Sequence, residues 1–116
     1  MDFEDEIRKL QTDLNKFCCE CHAPDPDWVS VNNGVFLCIQ CAGTHRAYGV
    51  NISFVRSLTL DLIEGIQIRT LKSGGNRKFL EFVQLYKLNK YQQIKEIKYI
   101  TRAAQLYRDL LKEAVE

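Results

Sequence analysis

Apolar residues mark the helices and strands of this chain with few ambiguities. Phe3, Ile7, Leu10 and Leu14 recur at helical spacing, which predicts an amphipathic helix over 2–15. Asp2, Glu4, Asp5 and Glu6 crowd its first turn, where the helix dipole favours acids. Ala23-Pro24-Asp25-Pro26-Asp27 cannot be helix interior and reads as a loop. Trp28-Val29-Ser30-Val31 alternates like a strand, Asn32-Asn33-Gly34 is a turn signal, and Val35-Phe36-Leu37 returns as the partner strand. A helix is expected from Cys38 through His45 to about Tyr48, with Gly49 beyond its end. Ser53 to Leu60 is rich in apolar and β-branched residues and reads as a further strand or extended segment.

The second half reads as helices. Residues 61–73 are expected to be helical up to Gly74-Gly75. Asn76 is a candidate cap for the next helix, where Phe79, Phe82, Val83 and Tyr86 share a face. Residues 91–100 have a weaker period and are expected to be helical. Thr101 is a candidate cap for a last helix with Ala103, Leu106, Tyr107, Leu110, Leu111 and Ala114 on one face. The expected fold class is α+β, a small sheet surrounded by α-helices.

The chemistry lies between Cys18 and Arg46. Two Cys-x-x-Cys pairs, Cys18/Cys21 and Cys38/Cys41, stand sixteen residues apart. Two tight turns of this kind supply four thiolates, the closed tetrahedral shell of a structural Zn2+ site. With a hairpin and a helix in that order, residues 18–46 predict a treble-clef-like zinc-finger module. Two disulfides are the competing reading. No secretory signal is recognisable, and a reducing compartment disfavours them. Cys19 would leave one residue between itself and Cys21, so it is expected to be a packed free thiol. His22 and His45 are rival ligands in principle, but four cysteines already close the shell. A closed shell leaves no position for metal catalysis, so the Zn2+ is expected to hold the fold and the function to lie elsewhere.

Length and charge narrow the partners. The 116 residues predict one domain, 1–116, and the absence of a stop signal near Glu116 reads as a domain cut from a longer protein. No apolar run is long enough to span a bilayer. A net charge of +1 speaks against nucleic acid. Residues 1–65 carry 5 basic and 10 acidic side chains, residues 66–116 carry 11 and 5. The basic half reads either as a surface for an anionic membrane or acidic protein patch, or as solvated helix faces.

An arginine, Arg46, follows Cys41 after four residues, and Gly49-Val50-Asn51-Ile52-Ser53 and Val55-Arg56-Ser57-Leu58-Thr59-Leu60-Asp61 come next. This pattern closely resembles the GTPase-activating proteins of Arf-family small GTPases, the ArfGAP domain. The similarity extends through PDPDWVSVNNGVFLC, GGNRKFLEF and TRAAQLYRDLL, and the last two segments resemble the Golgi-type branch. The resemblance implies one structural Zn2+, binding to a GTP-loaded Arf, and an arginine supplied in trans to that GTPase at the position of Arg46. It implies a GTPase activator rather than an enzyme with its own substrate, placed peripherally at Golgi membranes; a cytoplasmic location is expected, and the monomer is the default. The family usually has Trp where Ile63 stands, and Asn51 often aligns with His.

Spacing alone leaves Arg46 open to a surface salt bridge or a helix C-terminal charge. The resemblance turns it into the catalytic candidate. Trp28 either packs on the zinc knuckle or braces Arg46. Arg56 is expected to pair with a carboxylate, Asp61 being one candidate, and Ile52 joins Trp28, Arg56 and Asp61 as a partner-binding or orienting residue. No GxxxxGK[ST] loop is present, so the nucleotide belongs to the partner. Two other readings remain. One is a non-catalytic Arf-binding scaffold. The other is a zinc-finger DNA-binding module, although the helix after Cys38 offers only Arg46 as a basic Lys or Arg side chain.

Overall fold

A computed structural model describes residues 3–91 and 95–116. Its elements run α1 Phe3–Arg8, β1 Trp28–Ser30, β2 Val35–Leu37, α2 Ile39–Arg46, β3 Val55–Ser57, α3 Gly65–Ser73, α4 Asn76–Leu85, α5 Lys95–Ile100 and α6 Arg102–Val115. Among the described residues the three strands form one antiparallel sheet in the order β2-β1-β3. The expected hairpin is present, with Trp28 opposite Leu37 and Ser30 opposite Val35. Gly34 turns it at φ +67°, and a side chain there would meet Leu111 at 2.9 Å.

The period of two divides the core. Val29 and Phe36 point to one face, where they pack with Ile7, Leu58, Ile63, Ile68 and Leu71. Val35, Leu37 and Val55 point to the other, with Cys18, Ala42, Phe79, Val83 and Tyr99. Both faces of β2 are covered, so all three of its residues are buried. The cysteine module, α2 and α4 therefore lie across the sheet from α1 and α3. Ile63, where the family usually has Trp, is buried on the α1/α3 face, so that departure is a matter of packing.

Four expectations need correction. The first helix does not reach residue 15. It ends at Arg8, Thr12 is extended, and Leu14 sits in a 3-10 turn over Asp13–Lys16. The cause is Asn15, whose side chain donates to the Leu10 carbonyl at 2.8 Å and accepts from the Asn76 N–H at 2.8 Å. The helix expected from 61 starts at Gly65. Asp61 instead accepts from the Ser57 N–H at 2.8 Å, and a Glu64/Gln67 capping box sets the true start. Asn76 does not cap α4, because Gly75 takes that place and Asn76 turns inward. It accepts from Phe36 N–H at 2.8 Å and donates to the Leu14 and Phe17 carbonyls at 3.0 and 2.7 Å.

Thr101 does cap α6, accepting from the Ala104 N–H at 3.1 Å. The inner face of α6 is rotated from the expected one, however. Ala104, Arg108 and Leu111 are buried, while Leu106 and Leu110 are 52 % and 55 % exposed. Arg108 faces inward because its guanidinium donates to Asn33 Oδ1 at 3.2 Å and to the Tyr99 carbonyl at 3.0 Å. Of the stretch 91–100, residues 95–100 are helical and 92–94 lie outside the described residues.

Asn76 ties three segments with one buried amide. Asn76→Ala leaves one N–H and two carbonyls without that partner, and each such loss costs about 1–3 kcal/mol. We expect a total destabilisation of about 3 kcal/mol in urea unfolding of the metal-loaded protein, with Asn76→Asp partly restoring the Phe36 bond.

Candidate metal centre and arginine face

The first cysteine pair is shaped by local backbone bonds. Cys18 N–H donates to the Ala23 carbonyl at 2.7 Å, and the His22 N–H donates back to the Cys18 carbonyl at 2.9 Å. His22 takes φ +66° to close this knuckle. The second pair opens α2, with Cys38 as N-cap and its sulfur accepting from the Cys41 N–H at 3.4 Å. The Sγ atoms of Cys18, Cys21, Cys38 and Cys41 all lie within 4.8 Å of one another.

This geometry fits a tetrahedral metal. A Zn–S bond of about 2.3 Å implies sulfurs about 3.8 Å apart, and Cys21 and Cys38 Sγ stand at 3.6 Å. The electrostatics agree. Burial raises the Cys18 and Cys41 thiols, and for Cys41 the neighbouring Cys18 raises it further. Burial also works against Cys38, but the Cys41 N–H and the adjacent sulfurs outweigh it and bring that thiol to about 7. Four thiols this close ionise together only around a cation. Cys19 points away from them into the core, and burial holds its thiol well above the usual range. Neither histidine belongs to the cluster. His22 is exposed, and His45 is buried behind the knuckle.

α2 runs from Cys38 to the arginine. Arg46 stands exposed in its last turn, its guanidinium carbon 5.0 Å from the centre of the Trp28 ring. Among the described residues Arg46 makes no ion pair, so the surface salt bridge is not its role. Trp28 is half-buried on β1, packed on the core beneath it. Ile52 is half-buried against that same core and does not stand open on the surface.

Arg56 and Asp61 meet at 3.8 Å, and Arg56 lies over the Phe54 ring at 4.5 Å. The register places Arg56 opposite Val29, on the sheet face away from Trp28. The structure therefore joins Arg46 to Trp28 and Arg56 to Asp61 as two separate pairs. Asn51 is exposed, and its carbonyl accepts from Asn32 at 3.2 Å.

Two features escape sequence reasoning. Ile39 is 67 % exposed. It lies seven residues before Arg46, so it shares with Gly43 and Arg46 one outward line along α2. An apolar residue between two ligand positions was the available signal. The other is Glu20, between the ligands of the first pair. Its carboxylate is buried, accepts from the Tyr99 hydroxyl, and lies 3.1 Å from Lys98 Nζ and 3.6 Å from His45 Nε2. Burial pushes its pKa up, but these neighbours prevail and hold it at about 2.

Comparison with known proteins gives these observations a family. Residues 4–114 match the family model ArfGap, described as "Putative GTPase activating protein for Arf". ADP-ribosylation factor GTPase-activating protein 3 of Macaca fascicularis is 42 % identical over 107 residues, covering 91 % of this chain and 20 % of the relative. The Saccharomyces cerevisiae ADP-ribosylation factor GTPase-activating protein GCS1 is 36 % identical over 97 residues, covering 84 % of this chain and 27 % of the relative. The chain thus spans about a fifth to a quarter of the length of these curated relatives. A crystal structure of a "putative GTPase activating protein for ADP ribosylation factor" from Cryptosporidium parvum superposes with a TM-score of 0.81 at 26 % identity, covering 98 % of this chain and 92 % of that one.

Proposed function

The chain belongs to the Arf GTPase-activating protein family, and from that membership we propose that it is a single domain, 1–116, which binds a GTP-loaded Arf and accelerates GTP hydrolysis by supplying Arg46. The observation that carries this reading is the placement of Arg46. It is exposed, it rests on Trp28, and it stands at the end of a helix whose first turn carries two cysteines of the metal cluster. A guanidinium held out in this way is ready to enter another protein's active site.

The chemistry is transfer of a phosphoryl group to water. Charge builds on the phosphate oxygens in the transition state, and the nucleotide and the attacking water belong to the partner. Arg46 contributes a planar set of donors matched to those oxygens. Trp28 limits the directions the side chain explores before the partner arrives, which lowers the ordering cost at binding. Cys18, Cys21, Cys38 and Cys41 would hold a Zn2+ whose role is rigidity, because four protein ligands leave no open position.

The docking surface in this reading is the outward line of α2 together with Trp28. Ile39→Asp is expected to raise the half-saturating concentration for GTP-loaded Arf about 10-fold or more, since burying a large aliphatic side chain is worth about 1.5–3 kcal/mol. The maximal single-turnover rate should stay within about 2-fold, the mark of binding lost uniformly from ground and transition states. An unchanged half-saturating concentration would place the partner elsewhere.

No helix among the described residues is long and apolar enough to cross a membrane. A cytoplasmic, peripheral place at Golgi membranes and action as a monomer belong to the same reading. The Golgi part rests on the resemblance of residues 74–82 and 101–111.

A further inference from the structure

We propose that a buried polar ring beneath α2 aims Arg46, with His45 as its positioning residue. The proposal rests on the arginine reading above. The ring can be followed contact by contact, its links being hydrogen bonds except for the 3.6 Å approach of Glu20 to His45. The Tyr99 hydroxyl donates to Glu20, and the Glu20 carboxylate lies 3.6 Å from His45 Nε2. His45 Nδ1 lies 2.7 Å from Ser53 Oγ, and Ser53 Oγ lies 2.6 Å from Ser30 Oγ. Asn33 donates to Ser30 Oγ at 2.8 Å, and Arg108 donates both to Asn33 Oδ1 and to the Tyr99 carbonyl, which closes the ring. The His45 ring also packs edge-on against Tyr99, with centroids 4.7 Å apart.

α2 needs such a fixture. It has eight residues, and its buried side chains are Ala42 and His45. The metal cluster anchors its first turn. In its last turn His45 alone is buried, because Gly43, Thr44, Arg46 and Ala47 are exposed. The rotation of that turn is set by where the His45 ring is held, and Arg46 is the next residue along the backbone. A ring hydrogen-bonded at Nδ1 to Ser53, facing the Glu20 carboxylate at 3.6 Å with Nε2 and packed against Tyr48 and Tyr99 has its direction set as well as its depth, which an apolar side chain at this place would not provide. The network also joins segments far apart in sequence, since Tyr99 on α5 meets Glu20 in the knuckle. A change in α5 is thereby transmitted to the end of α2 that carries Arg46.

The test uses Tyr99→Phe and Ser53→Ala, which each remove one oxygen and keep the packing body, with Arg46→Lys and Arg46→Ala alongside. Single-turnover hydrolysis is measured on GTP-loaded Arf over a range of metal-replete protein. Both ring variants should lower the maximal rate about 10-fold, the scale of a small misplacement of a catalytic group. The half-saturating concentration and the metal content should not change. Trp28 is the one tryptophan of the chain, so its indole N–H gives a single NMR resonance. In both ring variants that resonance should move toward its position in Arg46→Ala, reporting a displaced guanidinium. Wild-type maximal rates and an unmoved indole signal in both ring variants, with Arg46→Lys collapsed, overturn the ring proposal alone. Loss of metal or of partner affinity in place of rate also overturns it, assigning the ring to stability. Full activity in Arg46→Lys overturns the arginine reading and the ring proposal with it.

Discussion

Arg46→Lys is expected to give a folded, metal-replete protein that has lost about 10³-fold or more of its stimulation of GTP hydrolysis, within the range of about 10³–10⁵ assigned to an arginine supplied in trans. That range corresponds to roughly 4–7 kcal/mol of barrier. Charge alone does not explain so large a loss, because lysine keeps the charge. What lysine lacks is the planar fork that meets two phosphate oxygens at once, and the flat face that rests on Trp28. The stacking is the smaller part, since a cation–π contact at an exposed site is worth about 0.5–1 kcal/mol. Arg46 is exposed and makes no ion pair among the described residues, so neither Arg46→Lys nor Arg46→Ala should shift the melting temperature appreciably. The discriminating measurement is single-turnover hydrolysis by GTP-loaded Arf at saturating protein, with partner affinity measured separately. Retained affinity with a collapsed rate identifies an interaction made in the transition state. A lysine variant within about 10-fold of wild type would remove Arg46 from the chemistry and leave a protein that binds Arf without catalysing.

What the sequence disclosed, and what it hid, follows from distance along the chain. The cysteine pairs, the Asn32-Asn33-Gly34 turn, the hairpin and the Thr101 cap are each settled within a few residues, and each stands where the local chemistry put it. The misread features depend on partners far away. Asn76 looks like a cap until Phe36 N–H and the Leu14 and Phe17 carbonyls are brought to it. The helical period from Phe3 to Leu14 is present, yet Asn15 and Asn76 divert the chain before the period is used. Arg108 falls outside the apolar face expected for the last helix, since a charged side chain seldom spends its donors inside. It does so here because Asn33 and Tyr99 present two oxygens to it. Arg46 is a third case. Its spacing to Cys41 is legible, but its lack of an ion pair and its rest on Trp28 required the fold. A motif names the residue, and only the surroundings show that the residue is held and accessible.

Cys38→Ser should affect the whole protein, whereas Arg46→Lys should affect one step. Cys38 has two tasks, as one of the four clustered sulfurs and as the N-cap of α2. Serine puts a hydroxyl oxygen, a favoured N-cap acceptor, where the Cys38 sulfur accepts from the Cys41 N–H, so the helix start is conserved and the substitution isolates the metal. Structural Zn2+ sites contribute apparent binding energies of about 10–16 kcal/mol to folding, as much as the whole stability of a typical domain, about 5–15 kcal/mol. Three ligands bind more weakly and leave an open position. The expected result is less than one equivalent of Zn2+ after dialysis against a mild chelator, and a melting transition lowered by 15 °C or more, on the scale of roughly 4–8 °C per kcal/mol for a domain of this size. GTPase stimulation should fall with it, because α2 loses the anchor at the end opposite Arg46. Cys19→Ser is the control. Its sulfur lies in the core and outside the cluster, so that variant should keep a full equivalent of metal and show only the modest cost of a buried hydroxyl. Full metal content and wild-type melting in Cys38→Ser would show that the four sulfurs are not the ligand set. Metal loss in Cys19→Ser would show that the fifth cysteine belongs to it, and that the knuckle binds through a different pair.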